Sequence, residues 1–106
     1  MSDSFLVKQD KSGIKNVPDD LFKLNIYPNP FNCSATIEYN LDKPSKINIL
    51  LTDITGRQIG IITNELQYPG NYHFEISSEK YHLQQGIYLL EFITDNALIS
   101  RRIVKL

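Results

Sequence analysis

From residue 21 onward, the chain alternates between short apolar segments and polar turns. Seven segments of five to eight residues are rich in Ile, Leu, Tyr and Phe, with Pro, Gly, Asn or Asp between them. This spacing is typical of short antiparallel strands, and no long stretch shows the 3.6-residue period of a helix. The predicted strands are 22–27, 35–39, 46–52, 57–62, 72–76, 87–94 and 98–104. The pattern predicts an all-β, Ig-like or fibronectin III-like sandwich of about seven antiparallel strands.

Leu50 interrupts the alternation in the third predicted strand. Ile47, Ile49 and Leu51 lie on one face of that strand, and the opposite face is polar except for Leu50. Because a strand that is apolar on both faces is typical of a sheet with both faces covered, we expect this strand to be covered on both sides.

Two turns have specific chemistry. In Asp53-Ile54-Thr55-Gly56-Arg57, the Asp side chain can accept a hydrogen bond from the backbone two residues on, and Gly56 can adopt positive φ. Gly86-Ile87-Tyr88 is similar to the tyrosine corner of Greek-key sandwiches, in which a buried Tyr bonds to backbone a few residues upstream. The alternative is that Tyr88 is an ordinary core residue. Further turns are predicted at Tyr68-Pro69-Gly70 and Asp95-Asn96.

The start of the chain differs from the rest. Residues 1–16 are polar, mixed in charge and without apolar period, which predicts a flexible linker from an upstream domain. Its longest apolar run, Phe5-Leu6-Val7, is too short for a signal peptide. Residues 17–106 then form one domain, and no stretch approaches the roughly 20 apolar residues of a membrane span. We therefore expect no direct membrane insertion.

Composition narrows the classes of function. The 106 residues carry a formal net charge of -1, so no overall positive field favours nucleic-acid binding. Cys33 is the only cysteine and cannot form an internal disulfide. We expect it to be buried as a small apolar residue, because no base in a recognisable motif would activate it as a nucleophile.

The sequence offers no catalytic constellation. His73 and His82 are the only histidines, and neither has a His, Cys or carboxylate at ligand spacing. His73 falls on the polar side of a strand and His82 in a loop, so both are interpreted as surface residues. The carboxylates are scattered singly, and there is no phosphate-binding Gly loop. We predict no enzyme, no metal and no cofactor.

Three of the last six residues are basic. Arg101, Arg102 and Lys105 supply three of the eleven Lys and Arg residues, and no acidic residue follows Asp95. Such charges can protect an edge strand from unwanted pairing. They can also form a recognition edge at the end of the chain. Charge alone favours edge protection.

Seven segments in order resemble the type A C-terminal sorting domain of the type IX (Por) secretion system. The resemblance covers about residues 17 to 106, and Cys33 departs from it where family members often carry a further Pro. The matching segments are Leu21-Phe22-Lys23-Leu24 before Tyr27-Pro28-Asn29-Pro30-Phe31-Asn32, then Ser34-Ala35-Thr36-Ile37, Leu51-Thr52-Asp53-Ile54-Thr55-Gly56-Arg57, Tyr68-Pro69-Gly70, Leu83-Gln84-Gln85-Gly86-Ile87-Tyr88 and Arg101-Arg102-Ile103-Val104-Lys105.

The resemblance implies a non-catalytic sorting signal. Such domains end exported cargo proteins of Bacteroidetes and related bacteria, and direct them from the periplasm across the outer membrane. The implied partners are the type IX translocon, a sortase-like peptidase and the upstream cargo domain. The implied fate is secretion or attachment to the cell surface. The resemblance also changes the interpretation of the last six residues, called the tail below, from edge protection to recognition by the translocon. The residues implied in recognition are Arg101, Arg102, Ile103, Val104, Lys105 and Leu106. In that interpretation the final strand offers its edge for strand addition.

Two further expectations concern the alternative function and the Pro-rich segment. The alternative is an Ig-like accessory module of an extracellular protein, either carbohydrate-binding or structural like a hook-capping protein. Tyr27–Asn32 is interpreted as a structural crossover between sheets, in which Phe31 covers one end of the core and Asn32 caps the turn. The motif residues expected to have structural roles are Tyr27, Pro28, Asn29, Pro30, Phe31, Asn32, Asp53, Gly56, Arg57, Gly86 and Tyr88.

Overall fold

The structure, a computed structural model, describes residues 15–16, 22–95 and 97–106. Every regular element in this part of the chain is a strand. The strands are β1 (Lys15–Asn16), β2 (Asn25–Tyr27), β3 (Ser34–Leu41), β4 (Ser45–Asp53), β5 (Gln58–Gln67), β6 (Gly70–Ser77), β7 (Gly86–Ile93) and β8 (Ala97–Lys105). The described residues contain no helix that is long and apolar enough to span a membrane.

The strands form two sheets. A five-stranded sheet has the order β1-β8-β7-β4-β5, and a three-stranded sheet has the order β2-β3-β6. All pairs are antiparallel except β1 with β8, where Lys15 pairs with Ala97 and Asn16 with Leu98. The seven longer strands confirm the predicted all-β sandwich. Residues 1–14 of the predicted linker lie outside the described residues, whereas Lys15–Asn16 belong to β1.

The core lies between the sheets, where the alternating apolar residues of both sheets meet. Ile37 from β3 and Ile76 from β6 are fully buried, as are Ile49 from β4 and Phe92 from β7. Tyr39 stacks on Tyr72 and meets Phe92 edge-on, with centroids 4.8 Å apart in the second pair. Each fully buried side chain of this size contributes about 1.5–3 kcal/mol to folding. Alternation of period two therefore correctly assigned the inner faces of the strands.

The predicted first strand is shorter in the structure. Phe22 and Lys23 form a turn, and Lys23 has a φ of 54°, which interrupts an extended chain. Leu24 and Ile26 are nevertheless buried as the alternation predicts. In contrast, β5 continues five residues beyond the predicted end, to Gln67, through a polar segment that no apolar pattern marks.

The pairing of β4 with β5 is irregular. The register shifts between Ile49 and Leu50 and again between Leu51 and Thr52. Such irregularities twist and bend a strand locally. Leu50 is half-buried on the face of β4 that points away from the core, so this face is less covered than the sequence predicts.

The prediction for Cys33 is wrong. Cys33 is exposed, because it lies in a bend before β3 begins at Ser34, where strand alternation does not apply. Its carbonyl oxygen accepts a hydrogen bond from the Ser78 amide at 3.0 Å, so the backbone at this position is fixed while the thiol faces solvent. His73 and His82 are exposed, as predicted.

Candidate recognition site

The C-terminal segment Arg101–Leu106 occupies the second half of β8 and the residue after it. Ile103 is fully buried, whereas Arg102 is exposed and Leu106 is 59% exposed. Arg101, Val104 and Lys105 are half-buried. Alternation along the strand therefore divides the predicted recognition residues between core packing and solvent. The segment is therefore part of an ordered strand and not a flexible peptide.

Asn29 and Phe31 occupy the outer edge of β8, which is the edge not paired with β7. Asn29 Nδ2 donates to the carbonyl oxygen of Arg102 at 3.0 Å, and the Val104 amide donates to Asn29 Oδ1 at 3.0 Å. The Phe31 amide donates to the Val104 carbonyl oxygen at 2.9 Å, and the Leu106 amide donates to the Phe31 carbonyl oxygen at 2.9 Å. A side-chain amide and one residue's backbone thus replace a neighbouring strand along the tail.

The segment Tyr27–Asn32 makes this possible by contacting both sheets. Tyr27 ends β2 in the three-stranded sheet, and Phe31 forms an isolated parallel bridge with Lys105 in the five-stranded sheet. Phe31 is 1% exposed and belongs to the core. The chain then returns to the three-stranded sheet as β3. The peptide bonds preceding Pro28 and Pro30 are cis. The amide side chain that fixes the segment is that of Asn29, which the sequence did not single out over Asn32.

The turn after β4 is held by one carboxylate. Asp53 Oδ1 accepts from the Thr55 amide at 2.9 Å, from the Thr55 hydroxyl at 2.6 Å and from the Arg57 amide at 3.0 Å, while Asp53 Oδ2 accepts from Arg57 Nε at 3.2 Å. These donors, the Thr55 hydroxyl foremost and then Arg57, lower the pKa of Asp53 to about 2. Gly56 has a φ of 93°, which glycine adopts without steric cost.

Two tyrosines form the same kind of corner. The Tyr88 hydroxyl donates to the Gln84 carbonyl oxygen at 2.7 Å and accepts from the Gln84 amide at 2.9 Å. The Tyr72 hydroxyl makes the equivalent pair with Tyr68, at 2.7 and 3.0 Å. The sequence predicted only the corner at Tyr88, although Gly70-Asn71-Tyr72 has the same Gly-x-Tyr spacing. Each corner ties the start of a strand to the loop before it.

The outward face of the three-stranded sheet is polar and acidic. The Tyr27 hydroxyl donates to Glu38 Oε1 at 2.6 Å, a hydrogen bond that raises the pKa of Tyr27. His73 Nε2 lies 3.5 Å from the same carboxylate oxygen, and Glu75 is exposed nearby on β6. This face lies on the opposite side of the sandwich from the outward face of the five-stranded sheet.

Among the described residues, no group of three or more His, Cys, Asp or Glu side chains is arranged to hold a metal ion. Asp53 and Arg57 are engaged with each other, and His73 and Cys33 lie on different strands or bends without a shared partner group.

Comparison with known proteins identifies the family. The matching family model is described as "Secretion system C-terminal sorting domain", and the match covers residues 25–106. The family is a sorting-signal family and not a catalytic one. Comparisons with curated proteins and with solved structures gave no match. Since the match spans more than half of the chain and includes all seven antiparallel strands, the chain belongs to the family of C-terminal sorting domains of the type IX secretion system.

Proposed function

We propose that the type IX translocon recognises this domain through Arg101–Leu106, and so moves an attached upstream cargo protein from the periplasm across the outer membrane. A sortase-like peptidase then acts on the cargo, which is secreted or attached to the cell surface. The domain itself supplies the sorting signal, consistent with its family. Only some residues of the tail can contact the translocon directly, because Arg102 and Leu106 face solvent whereas Ile103 is buried in the core.

The observation that carries this proposal is the rigid edge of the last strand. Asn29 and Phe31 hold the backbone from Arg102 to Leu106, so the exposed side chains of Arg102 and Leu106 extend from a backbone whose position is fixed by hydrogen bonds. A preorganised signal avoids part of the entropy that a flexible peptide loses on binding. Strand addition at this part of the edge would first require the contacts of Asn29 and Phe31 to break.

The test is secretion of a reporter that carries a Sec signal at its N-terminus and this chain at its C-terminus. We expect secretion in a strain with the translocon and periplasmic retention in the same strain without it. Deleting the final residues is a poor probe of recognition, because Ile103 is a core residue and its loss would unfold the domain. The exposed Arg102 is the better position, and Arg102→Glu should retain the reporter in the periplasm.

The matched control is Lys43→Glu, which makes the same change of charge at an exposed position in the loop between β3 and β4. The control should be secreted like the unmodified fusion, and both variants should melt at the same temperature. Secretion that does not depend on the translocon would contradict the proposed function. Equal secretion of Arg102→Glu and Lys43→Glu would contradict the role given to the tail.

A further inference from the structure

The outward face of the five-stranded sheet carries an apolar stripe that begins at the tail. Strand register places Val104 opposite Ile87, and Leu50 opposite Ile61, with Leu89 between the two pairs. Ile87 is 43% exposed and Ile61 is 48% exposed, and the other three residues are half-buried. We call Val104, Ile87, Leu89, Leu50 and Ile61 the diagonal stripe.

The diagonal stripe is not part of the core. All five side chains lie on the strand faces that point away from the three-stranded sheet, and none of them belongs to the core cluster or packs against it. Val104 with Ile87 and Leu50 with Ile61 are direct cross-strand pairs, whereas Leu89 is diagonal to Leu50, whose direct neighbour on β7 is Glu91. Direct pairs lie in contact and diagonal neighbours are within reach of long side chains, so the stripe is one series of apolar neighbours with Glu91 at its side. A contiguous apolar surface that crosses four strands is more than the scattered apolar residues expected on a monomer.

Charge distinguishes this face from the opposite side of the sandwich. Arg102, exposed and opposite Leu89, adds a cation beside the diagonal stripe, and Lys46 adds another on the same face. Glu91, half-buried on β7, also lies on this face, where the two cations outnumber it. The outward face of the three-stranded sheet instead carries Glu38 and Glu75. A partner with an apolar surface and a carboxylate facing Arg102 would fit the first face and be repelled by the second.

The geometry points to the diagonal stripe, with Arg102 beside it, as the surface on which a translocon component docks. This inference rests on the proposed function and deepens it, since Val104 and Arg102 belong to the tail. Because Asn29 and Phe31 cover the outer edge of the tail, a partner reaches the tail from this sheet face. The partner is a protein with an apolar docking surface and an acidic group, and not a strand added at the edge.

The test compares two isoleucines that differ in place but not in chemistry. Ile87→Thr changes the stripe, and Ile54→Thr changes a residue that is 67% exposed in the turn after β4. Thr suits the exposed strand position of Ile87, and the Ile54 side chain lies in solvent in a turn, so both variants should keep the melting temperature of the unmodified protein. We expect Ile87→Thr combined with Leu89→Thr to weaken binding to purified translocon complex at least about tenfold, which corresponds to about 1.4 kcal/mol. Ile54→Thr should bind normally.

The outcomes separate this inference from the function on which it rests. If Arg102→Glu blocks secretion while the double stripe variant binds and is secreted normally, the docking surface is wrong and the proposed function stands. If removing the translocon does not affect secretion, the proposed function itself is wrong. Sedimentation of the purified chain provides a further test. A dimer that the stripe variants dissociate would assign the face to a second copy and overturn the inference.

Discussion

Asn29 Oδ1 accepts a hydrogen bond from the backbone amide of Val104, although the two residues are separated by 75 positions in the chain. The other end of the same side chain donates to the Arg102 carbonyl oxygen. One amide therefore satisfies a donor and an acceptor that a neighbouring strand would otherwise pair. This contact links the segment by which the family is recognised to the segment proposed as its signal.

Asn29→Ala should destabilise the domain. It leaves the Val104 amide and the Arg102 carbonyl group without their present partner, which costs about 1–2 kcal/mol. Urea unfolding measures this loss, and hydrogen exchange should show faster exchange of the Val104 amide. Asn32→Ala, at an exposed position two residues after Pro30, is the matched control and should change stability little. Equal unfolding midpoints for the two variants would show that Asn29 does not hold the tail.

Phe31→Ala should be more damaging. Phe31 is 1% exposed and packs in the core, so its truncation costs about 3–5 kcal/mol. The control is Cys33→Ser, two residues away, where the exposed thiol should be replaceable within about 0.5 kcal/mol. Calorimetric melting measures both variants. Cys33 of the folded protein should also react readily with a thiol reagent, and protection of this thiol would contradict its exposure.

The two tyrosine corners should be equivalent in their effect. Tyr88→Phe and Tyr72→Phe each remove a hydroxyl that bonds to both backbone groups of one residue, at an expected cost of about 1–2 kcal/mol. Tyr68→Phe is the control, because the Tyr68 side chain is exposed and its backbone groups make the contacts. The denaturant midpoint of unfolding should be the same for Tyr68→Phe as for the unmodified protein. A neutral Tyr72→Phe would show that the second corner adds nothing.

Asp53 should make stability depend on pH in acid. Its pKa is lowered from 3.8 to about 2 by the Thr55 hydroxyl and by Arg57. A carboxyl group whose pKa is lower in the folded state than in the unfolded state stabilises the protein at pH values above the unfolded-state pKa. This contribution is lost as the pH falls through the folded-state pKa. Melting temperature should therefore decline between about pH 4 and pH 2. In Asp53→Asn this part of the decline should be missing. An unchanged acid profile in Asp53→Asn would contradict the assignment.

Sequence patterns predicted the features that depend on local periodicity. The alternation of Ile47, Ile49 and Leu51 follows from strand geometry, and the Asp53 turn follows from hydrogen bonds within five residues. Asn29 was expected to have a structural role, but its contact with the tail escaped prediction, because its partners come from the last strand and only the folded arrangement of the two sheets brings them together. Cys33 was assigned wrongly because its burial was inferred from the residue type alone, which takes no account of the bend in which it lies. Tyr72 was missed although the spacing that identified Tyr88 was available.

The irregular register between β4 and β5 has a consequence for the behaviour of the protein at high concentration. β5 lies at the edge of its sheet, is ten residues long and exposes Ile61 and Leu66, which are features of strands that aggregate. The register shifts at Leu50 and Thr52 interrupt the even spacing of backbone groups along this pair. A strand from another copy could match only a short stretch of such an edge. The same irregularity thus favours a domain that stays dispersed when many copies are produced together.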